Sequence, residues 1–297
     1  MHIQARHGMM RRDDAMNVLF VCTGNTCRSP MAEAIFREKT KKFSNYVKVS
    51  SCGLGTYAGS PASENAVLTM AERQIDISAH RSRQINQYII DEADYIICLG
   101  QSHYKYLESF AKDKLLILGS GISDPFMGDM SVYRECANNI SKAIDELLQS
   151  DIFVSINNMI IEDVEAIEKI ENANFSMPWS EESFRSQIKK EYSVSFTAHY
   201  LGKPIGYVCC DDISGEVYIG TIAVDTEFRK QGIGTKLLDR VNSYCEKNNS
   251  SILTLEVRVS NESAVKLYEK LGFENLGVRK NFYSNPTEDA FIMTKYF

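Results

Sequence analysis

The 297-residue chain has no basic excess, no Cys-x-x-Cys pair, no long apolar run and no internal repeat or low-complexity segment. Its net charge is −6, with 17 basic and 17 acidic side chains in residues 1–150 and 16 basic against 22 acidic in residues 151–297. Neither half carries the cationic surplus of a phosphate-backbone binder, so nucleic acid is excluded as the main partner. The eight cysteines (Cys22, Cys27, Cys52, Cys98, Cys136, Cys209, Cys210 and Cys245) follow no framework spacing, which argues against a zinc module and against a secreted disulfide scaffold. No apolar run approaches the roughly 18–20 residues of a membrane span. Residues 1–16 are polar and lack the apolar core of a signal peptide, and Met16 is a candidate alternative start. By elimination the sequence reads as a reduced, cytoplasmic protein that is neither membrane-bound nor metal-binding. Residues 1–15 form an extension of unassigned status.

What remains is ordinary globular composition, long enough for two domains. From residue 16 short apolar runs alternate with amphipathic segments. Strands are expected at 17–21, 46–51, 94–99 and 114–118, and helices at 30–42, 62–75 and 131–149, with Ser29 as N-cap and Pro30 at the first helical position. Such alternation implies a doubly wound parallel sheet. The pattern restarts at 151. Strands at 151–157, 193–201, 205–212 and 216–224, the last three too closely spaced for crossovers, are followed by a helix at 231–247, a strand at 252–258, a helix at 261–271 and strands near 274–281 and 290–296. Helices at 162–171 and 180–190 fall between the first two of these strands. The fold class is therefore α/β, a parallel-sheet domain over 16–150 followed by a mixed-sheet α/β domain over 151–297.

In the first domain, VLFV-Cys22-Thr23-Gly24-Asn25-Thr26-Cys27-Arg28-Ser29-Pro30 puts a cysteine at a strand end and an arginine just before a helix. A loop of this size can turn its amides inward as an anion nest, to which the helix N-terminus adds partial positive charge. A Cys22 thiolate is stabilised there and is nucleophilic at neutral pH. Arg28 supplies a fork that fits two phosphoryl oxygens. Gly24 and Asn25 are residue types that tolerate left-handed backbone.

This stretch closely resembles the active-site loop of the low-molecular-weight protein tyrosine phosphatase family, over roughly residues 16–150. The resemblance implies displacement in two steps: Cys22 attacks phosphorus, and Arg28 with the loop amides holds the phosphoryl oxygens. Asp124, in Asp124-Pro125-Phe126, is the implied general acid and then the base for hydrolysis of the phosphocysteine. Ser29 is implied to hydrogen-bond the sulfur, Ser51 and His80 to brace the loop, and Cys27 either to fill space or to form a protective disulfide with Cys22. Thr26 matches the subgroup resembling protein-arginine phosphatases, so phosphoarginine stands beside phosphotyrosine as the expected phosphorylated protein substrate. A harmless isosteric swap is the other reading of Thr26. Arsenate reductase shares the fold, but its cysteine cascade needs a close cysteine pair where only Cys98 lies.

In the second domain, Ile222-Ala223-Val224 ends a strand and Arg229-Lys230-Gln231-Gly232-Ile233-Gly234-Thr235 opens a helix. Alternating glycines admit a ligand to the backbone, and the helix N-terminus offers amides to a pyrophosphate. The Arg-x-x-Gly-x-Gly form resembles the acetyl-CoA signature of GNAT N-acetyltransferases. LEVRVSNESAVKLYEKLGF (255–273), RKNFY, EDAFIM and NFSMPWSEESF resemble the ribosomal-protein-alanine N-acetyltransferases. That resemblance implies acetyl-CoA as cosubstrate, a ribosomal protein N-terminus as acceptor, Glu256 as general base, Tyr268 as general acid and Asn261 as a cofactor contact. Phe282 and Tyr283 are implied to line the peptide entrance, whereas Trp179 reads as a packing anchor. An ordinary strand glutamate and a core tyrosine on the Val265–Tyr268–Phe273 stripe are the plain readings of Glu256 and Tyr268. The two-activity expectation competes with a phosphoprotein-binding module joined to a single working acetyltransferase. A lost nucleophile or arginine would mark that alternative, and Cys22, Arg28 and Asp124 are all present.

Overall fold

A computed structural model describes residues 15–297, so all but the last residue of the 1–15 extension lies outside the described residues. The chain forms two compact units that divide between Phe153 and Val154. No helix among the described residues is long and apolar enough to cross a membrane.

The first unit runs β1 (Met16–Cys22), α1 (Arg28–Lys39), β2 (Val47–Gly53), α2 (Glu64–Ala71), α3 (Gln87–Glu92), β3 (Tyr95–Cys98), α4 (Gln101–Ala111), β4 (Leu115–Ile117) and α5 (Met130–Gln149). Its sheet has the order β2-β1-β3-β4 and every pairing is parallel. Side chains of β1 alternate between two buried faces, as a doubly covered sheet requires. Leu19 and Val21 pack with Cys52, Ile90, Ile96, Cys98 and Leu107 on the side of α3 and α4. Phe20 meets Phe36 of α1 edge-on at 5.5 Å, and Phe36 meets Phe153 at 6.0 Å, on the other side. A fully buried phenylalanine of this kind contributes about 1.5–3 kcal/mol. The strand order reverses between β1 and β3, and the crevice beyond strand ends at such a switch point is where doubly wound sheets place their ligands. Cys22 is the last residue of β1.

Helices α3 and α4 are additions to the elements expected from sequence. Helix α1 starts at Arg28, two residues before the expected position, so Ser29 is helical and does not serve as N-cap; Cys27 precedes the helix and makes no capping side-chain bond. The segment expected as a strand from 151 opens instead with a 3-10 turn, Asp151–Phe153.

The second unit runs β5 (Val154–Asn158), α6 (Val164–Asn174), α7 (Glu181–Lys189), β6 (Ser193–Tyr200), β7 (Lys203–Ile213), β8 (Glu216–Val224), α8 (Ile233–Asn248), β9 (Ile252–Arg258), α9 (Glu262–Lys270), β10 (Glu274–Ser284) and β11 (Thr287–Tyr296). The sheet order is β10-β11-β9-β8-β7-β6-β5. All pairs are antiparallel except β8–β9, which is parallel and is bridged by the α8 crossover. Two-residue turns, Leu201–Gly202 and Ser214–Gly215, close the β6–β7 and β7–β8 hairpins with left-handed backbone that matches strand twist. Strand β7 is buried on both faces: Tyr207 and Cys209 pack with Val164, Ile167, Ile170 and Phe184 of α6 and α7, while Val208 faces the α8 side.

The β8–β9 pairing ends at Ile219 opposite Leu255. Beyond it Gly220–Val224 still pair with β7 along one edge, but that edge of β8 facing β9 has no ladder partner. The two strands therefore splay, and Glu256 is the first β9 residue past the split.

Candidate active sites

The loop between β1 and α1 is built around Asn25. Its backbone is left-handed (φ 52°) and it is fully buried. Gly24 is not left-handed, contrary to the reading of that glycine from sequence. Asn25 Oδ1 accepts the Arg83 backbone N–H at 2.8 Å, which fixes the amide orientation. Asn25 Nδ2 then donates to Ser51 Oγ and to Ser29 Oγ, both at 2.9 Å. The Ser51 hydroxyl proton goes to Glu33 Oε2 at 2.6 Å, because an ionised carboxylate can only accept. Ser29 Oγ is thus an acceptor from Asn25, and its own proton is left for Cys22 Sγ at 3.0 Å. The Asn25 backbone N–H adds a second donor to the sulfur at 3.2 Å. Two donors thus converge on Cys22 Sγ.

His80 Nε2 lies 2.8 Å from the Asn25 carbonyl oxygen, so Ser51 and His80 both reach the loop through Asn25. Gly53 closes it from β2: a Cβ there would stand 2.6 Å from the Thr23 carbonyl oxygen. Arg28 is 7% exposed, and it donates to the Ile122 carbonyl at 3.2 Å and to Asp124 Oδ2 at 2.5 Å. The Asp124 side chain is half-exposed, so its carboxyl stands between the buried guanidinium and solvent. Thr26 Oγ1 lies 3.7 Å from Cys27 Sγ. Cys27 is a free thiol engaged with Tyr133 Oη at 3.2 Å and Ser63 Oγ at 3.3 Å. Cys52 and Cys98 are buried, and burial pushes both thiols up to about 12, which leaves them inert beside Cys22.

In the second unit Glu256 sits at the β8–β9 split. Its Oε2 accepts the Tyr218 hydroxyl at 2.6 Å and its Oε1 pairs with Arg279 Nη1 at 2.5 Å. Burial first, and the Glu256 carboxylate second, hold the Tyr218 phenol well above its ordinary range. Tyr283 donates to the Glu256 carbonyl at 3.2 Å, and the Arg258 guanidinium lies over its ring at 4.2 Å. Tyr268 on α9 is buried against Phe273, and burial raises its phenol well above the ordinary tyrosine value, with Tyr283 adding to the shift. It is protonated at neutral pH and able to donate. Phe282 meets Tyr283 edge-on at 5.0 Å and is partly exposed.

Ile222, Ala223 and Val224 lie on the β8 stretch whose β9-facing edge is free. Gln231 reaches back to the Glu227 carbonyl. Gly232 precedes α8 with left-handed backbone (φ 79°), makes no side-chain cap, and has open space where a Cβ would be. The amides of Ile233, Gly234 and Thr235 at this uncapped end suit a pyrophosphate, so the residues present fit the phosphate portion of acetyl-CoA. Lys230 is also left-handed (φ 61°), while Arg229 is drawn to Asn174 and the Val224 carbonyl. Asn261 caps α9 through Oδ1, which accepts the Ala264 amide at 3.2 Å. Trp179 packs on the face of Gly220, and a Cβ there would lie 3.3 Å from its ring.

Several participants were not evident in the sequence: Glu33, Arg83 and His103 in the first site, and Glu171, Tyr218 and Arg279 in the second. Glu33 had a signal, because it lies one helical turn beyond Ser29 on the same face of α1. Glu171 is buried and takes the Trp179 amide at 3.0 Å, the Thr221 hydroxyl at 3.2 Å and the Tyr207 hydroxyl, fixing the chain that leads to α7.

Residues 17–155 match the model of the low molecular weight phosphotyrosine protein phosphatase family, and residues 164–273 match that of the acetyltransferase (GNAT) family. The protein-arginine-phosphatase of Geobacillus stearothermophilus is 38% identical over 142 residues, which cover 44% of this chain and 93% of that protein. The ribosomal protein bS18-alanine N-acetyltransferase of Escherichia coli K12 is 35% identical over 141 residues, covering 47% of this chain and 95% of that protein. The crystal structure of the ribosomal-protein-S18-alanine N-acetyltransferase from Escherichia coli shares 34% identity over 48% of this chain and 93% of its own, with a TM-score of 0.46.

Proposed function

We propose that this chain, which belongs to the low molecular weight phosphotyrosine protein phosphatase family through its first unit and to the GNAT acetyltransferase family through its second, is a bifunctional enzyme with two separate active sites. The first hydrolyses a phosphorylated protein side chain. The observation that carries this is the directed hydrogen-bond chain from Glu33 through Ser51, Asn25 and Ser29 to Cys22. The Cys22 thiolate attacks phosphorus while Arg28 and the amides of residues 23–28 hold the phosphoryl oxygens. Asp124, already at Arg28, protonates the leaving group and then takes a proton from the water that cleaves the phosphocysteine. A binding module would need none of this alignment.

The second unit transfers an acetyl group to an N-terminal α-amine, with a ribosomal protein N-terminus as the acceptor. The observation that carries this is Glu256 standing at the open edge of β8 and β9. An α-amine has an ordinary pKa of about 7.7–8.0, so a carboxylate is base enough to free it. Acetyl-CoA supplies the activated thioester when bound. The amides at the start of α8 and the free edge of Ile222–Val224 would hold it, Glu256 removes the amine proton and Tyr268 returns a proton to the departing sulfur.

A substrate panel tests both readings: phosphotyrosine, phosphoarginine and arsenate for the first unit, and N-terminal peptides with acetyl-CoA for the second. Reduction of arsenate without hydrolysis of either phosphotyrosine or phosphoarginine would overturn the first reading, and acetylation of lysine side chains alone would overturn the second. Thr26 decides between the phosphorylated side chains. Thr26→Ile is expected to shift the ratio of turnover toward phosphotyrosine by about tenfold, the scale of one lost polar contact of about 1.4 kcal/mol; an unchanged ratio would show that Thr26 does not read the substrate. Gly53→Ala is expected to push the Thr23 carbonyl outward and lower phosphatase kcat/KM by about 10²-fold. Acetyl transfer by the same variant stays at the parent level, and equal loss of both would point to general misfolding instead.

A further inference from the structure

His103 takes no part in the reaction derived above, yet it touches the nucleophile loop. It lies in the first turn of α4 and its side chain is buried, at 2% exposure. Its Nε2 is 3.0 Å from Thr23 Oγ1, on the residue that follows the nucleophile. Its Nδ1 is buried and makes no hydrogen bond among the described residues; it faces Gly100, where a Cβ would stand 3.5 Å away. Burial, reinforced by the Arg28 guanidinium, brings the imidazole down to about 4, so it is neutral at physiological pH. Asp124 opposes that shift, which places His103 within the field of both charged groups at the mouth of the loop.

A neutral imidazole carries a single N–H. On Nδ1 that proton would be a buried donor without an acceptor, an arrangement that is rare and costly. On Nε2 it meets Thr23 Oγ1. The tautomer is therefore Nε2–H, and His103 donates to the threonine. A hydroxyl oxygen that accepts from the imidazole keeps its own proton for another acceptor. Thr23 is exposed, and its carbonyl is fixed by the Gly55 amide at 3.0 Å, so the residue is held at both its main chain and its side chain.

We propose that His103 is a positioning residue of the phosphatase unit: by donating Nε2–H to Thr23 Oγ1 it turns the Thr23 hydroxyl proton onto an oxygen of the phosphoryl group that Cys22 attacks. This rests on the phosphatase reading of the first unit. It adds a second directed hydroxyl beside the nucleophile, independent of the Ser29 chain. Thr23 makes the contact with substrate; His103 acts only through it.

The test is a double-mutant cycle on the full chain, read as kcat and KM for a phosphorylated substrate, with Tm and acetyl transfer measured on every variant. Thr23→Val and His103→Phe are each expected to lower kcat/KM by about tenfold, the scale of one hydrogen bond to a charged group. The double variant is expected to fall no further than either single one. His103→Gln, whose side-chain Nε2 can occupy the place of the imidazole N–H, is expected to recover most of the loss. Multiplying losses in the double variant, an unchanged kcat/KM in His103→Phe, or failure of His103→Gln to recover activity at parental Tm would each overturn the proposal. If His103→Phe does not fold, His103→Leu replaces it in the cycle with Thr23→Val, and multiplying losses overturn the proposal there too. Turnover at the parental rate in Cys22→Ser, or no turnover by the unsubstituted protein, would overturn the phosphatase reading and this proposal with it. The outcomes of the cycle overturn the proposal alone.

Discussion

Replacing Cys22 with serine is expected to abolish phosphatase turnover, with a fall in kcat of at least about 10⁴-fold, the scale on which removal of a catalytic nucleophile acts. That corresponds to about 5.5 kcal/mol of lost barrier reduction. The site explains why so close a relative fails. Both groups aimed at Sγ are donors, the Ser29 hydroxyl and the Asn25 amide. They stabilise a thiolate, but neither can take a proton from a serine hydroxyl, which does not ionise at neutral pH. Asp124, the nearby carboxylate, is drawn to Arg28 and in the proposed mechanism serves the leaving group. The check is hydrolysis of a phosphorylated peptide by the variant, with acetyl transfer measured on the same sample. Phosphatase turnover near the parental rate would place the nucleophile elsewhere, and simultaneous loss of acetyl transfer would indicate a damaged fold.

Glu256→Gln is expected to lower acetyl transfer by about 10²–10⁴-fold near neutral pH, the usual scale for a general base. The substitution keeps the shape and an oxygen for the Tyr218 hydroxyl, but it turns an amide toward Arg279, a donor facing a donor. The defect should depend on pH in a defined direction. An N-terminal amine loses its proton unaided as pH rises through about 7.7–8.0. Above that range the base has nothing left to remove, so the variant should approach the parent. Rate–pH profiles of both proteins on an alanine-starting peptide decide it. A loss of constant size at every pH would make Glu256 a positioning group and not the base.

The parts of these sites that the sequence displays are the ones whose geometry is local. Cys22, Asn25, Arg28 and Ser29 lie within eight residues on one strand–loop–helix unit, and the loop length alone brings them together. Gly232–Thr235 are legible for the same reason. Ser29 shows the limit of local reasoning. Its residue type and its place before Pro30 suit an N-cap, but its hydroxyl is committed to Cys22 and α1 begins one residue earlier. Helix α4 escaped detection because its buried stripe is His103, Leu107 and Ala111, in which a histidine and an alanine hold two of the three core positions. Helix α3 is six residues long and buries only Ile90. Tyr218 and Arg279 reach Glu256 from β8 and β10, and sheet register decides such meetings, not spacing along the chain.

The pairing of Cys22 with Gly53 across β1 and β2 has a consequence for which length changes the first unit can absorb. The turn over residues 40–46 leads into β2 from the far end of the strand, so an insertion there alters chain length without altering what faces the nucleophile loop. An extra residue inside Val47–Gly53 would move Gly53 out of register and bring a residue with a side chain against the Thr23 carbonyl. The same slip would turn the buried face of the strand outward, since neighbouring positions alternate sides. Strand length, more than strand composition, is what the nest around Asn25 fixes in β2, and a change of length is expected to be absorbed in the turn.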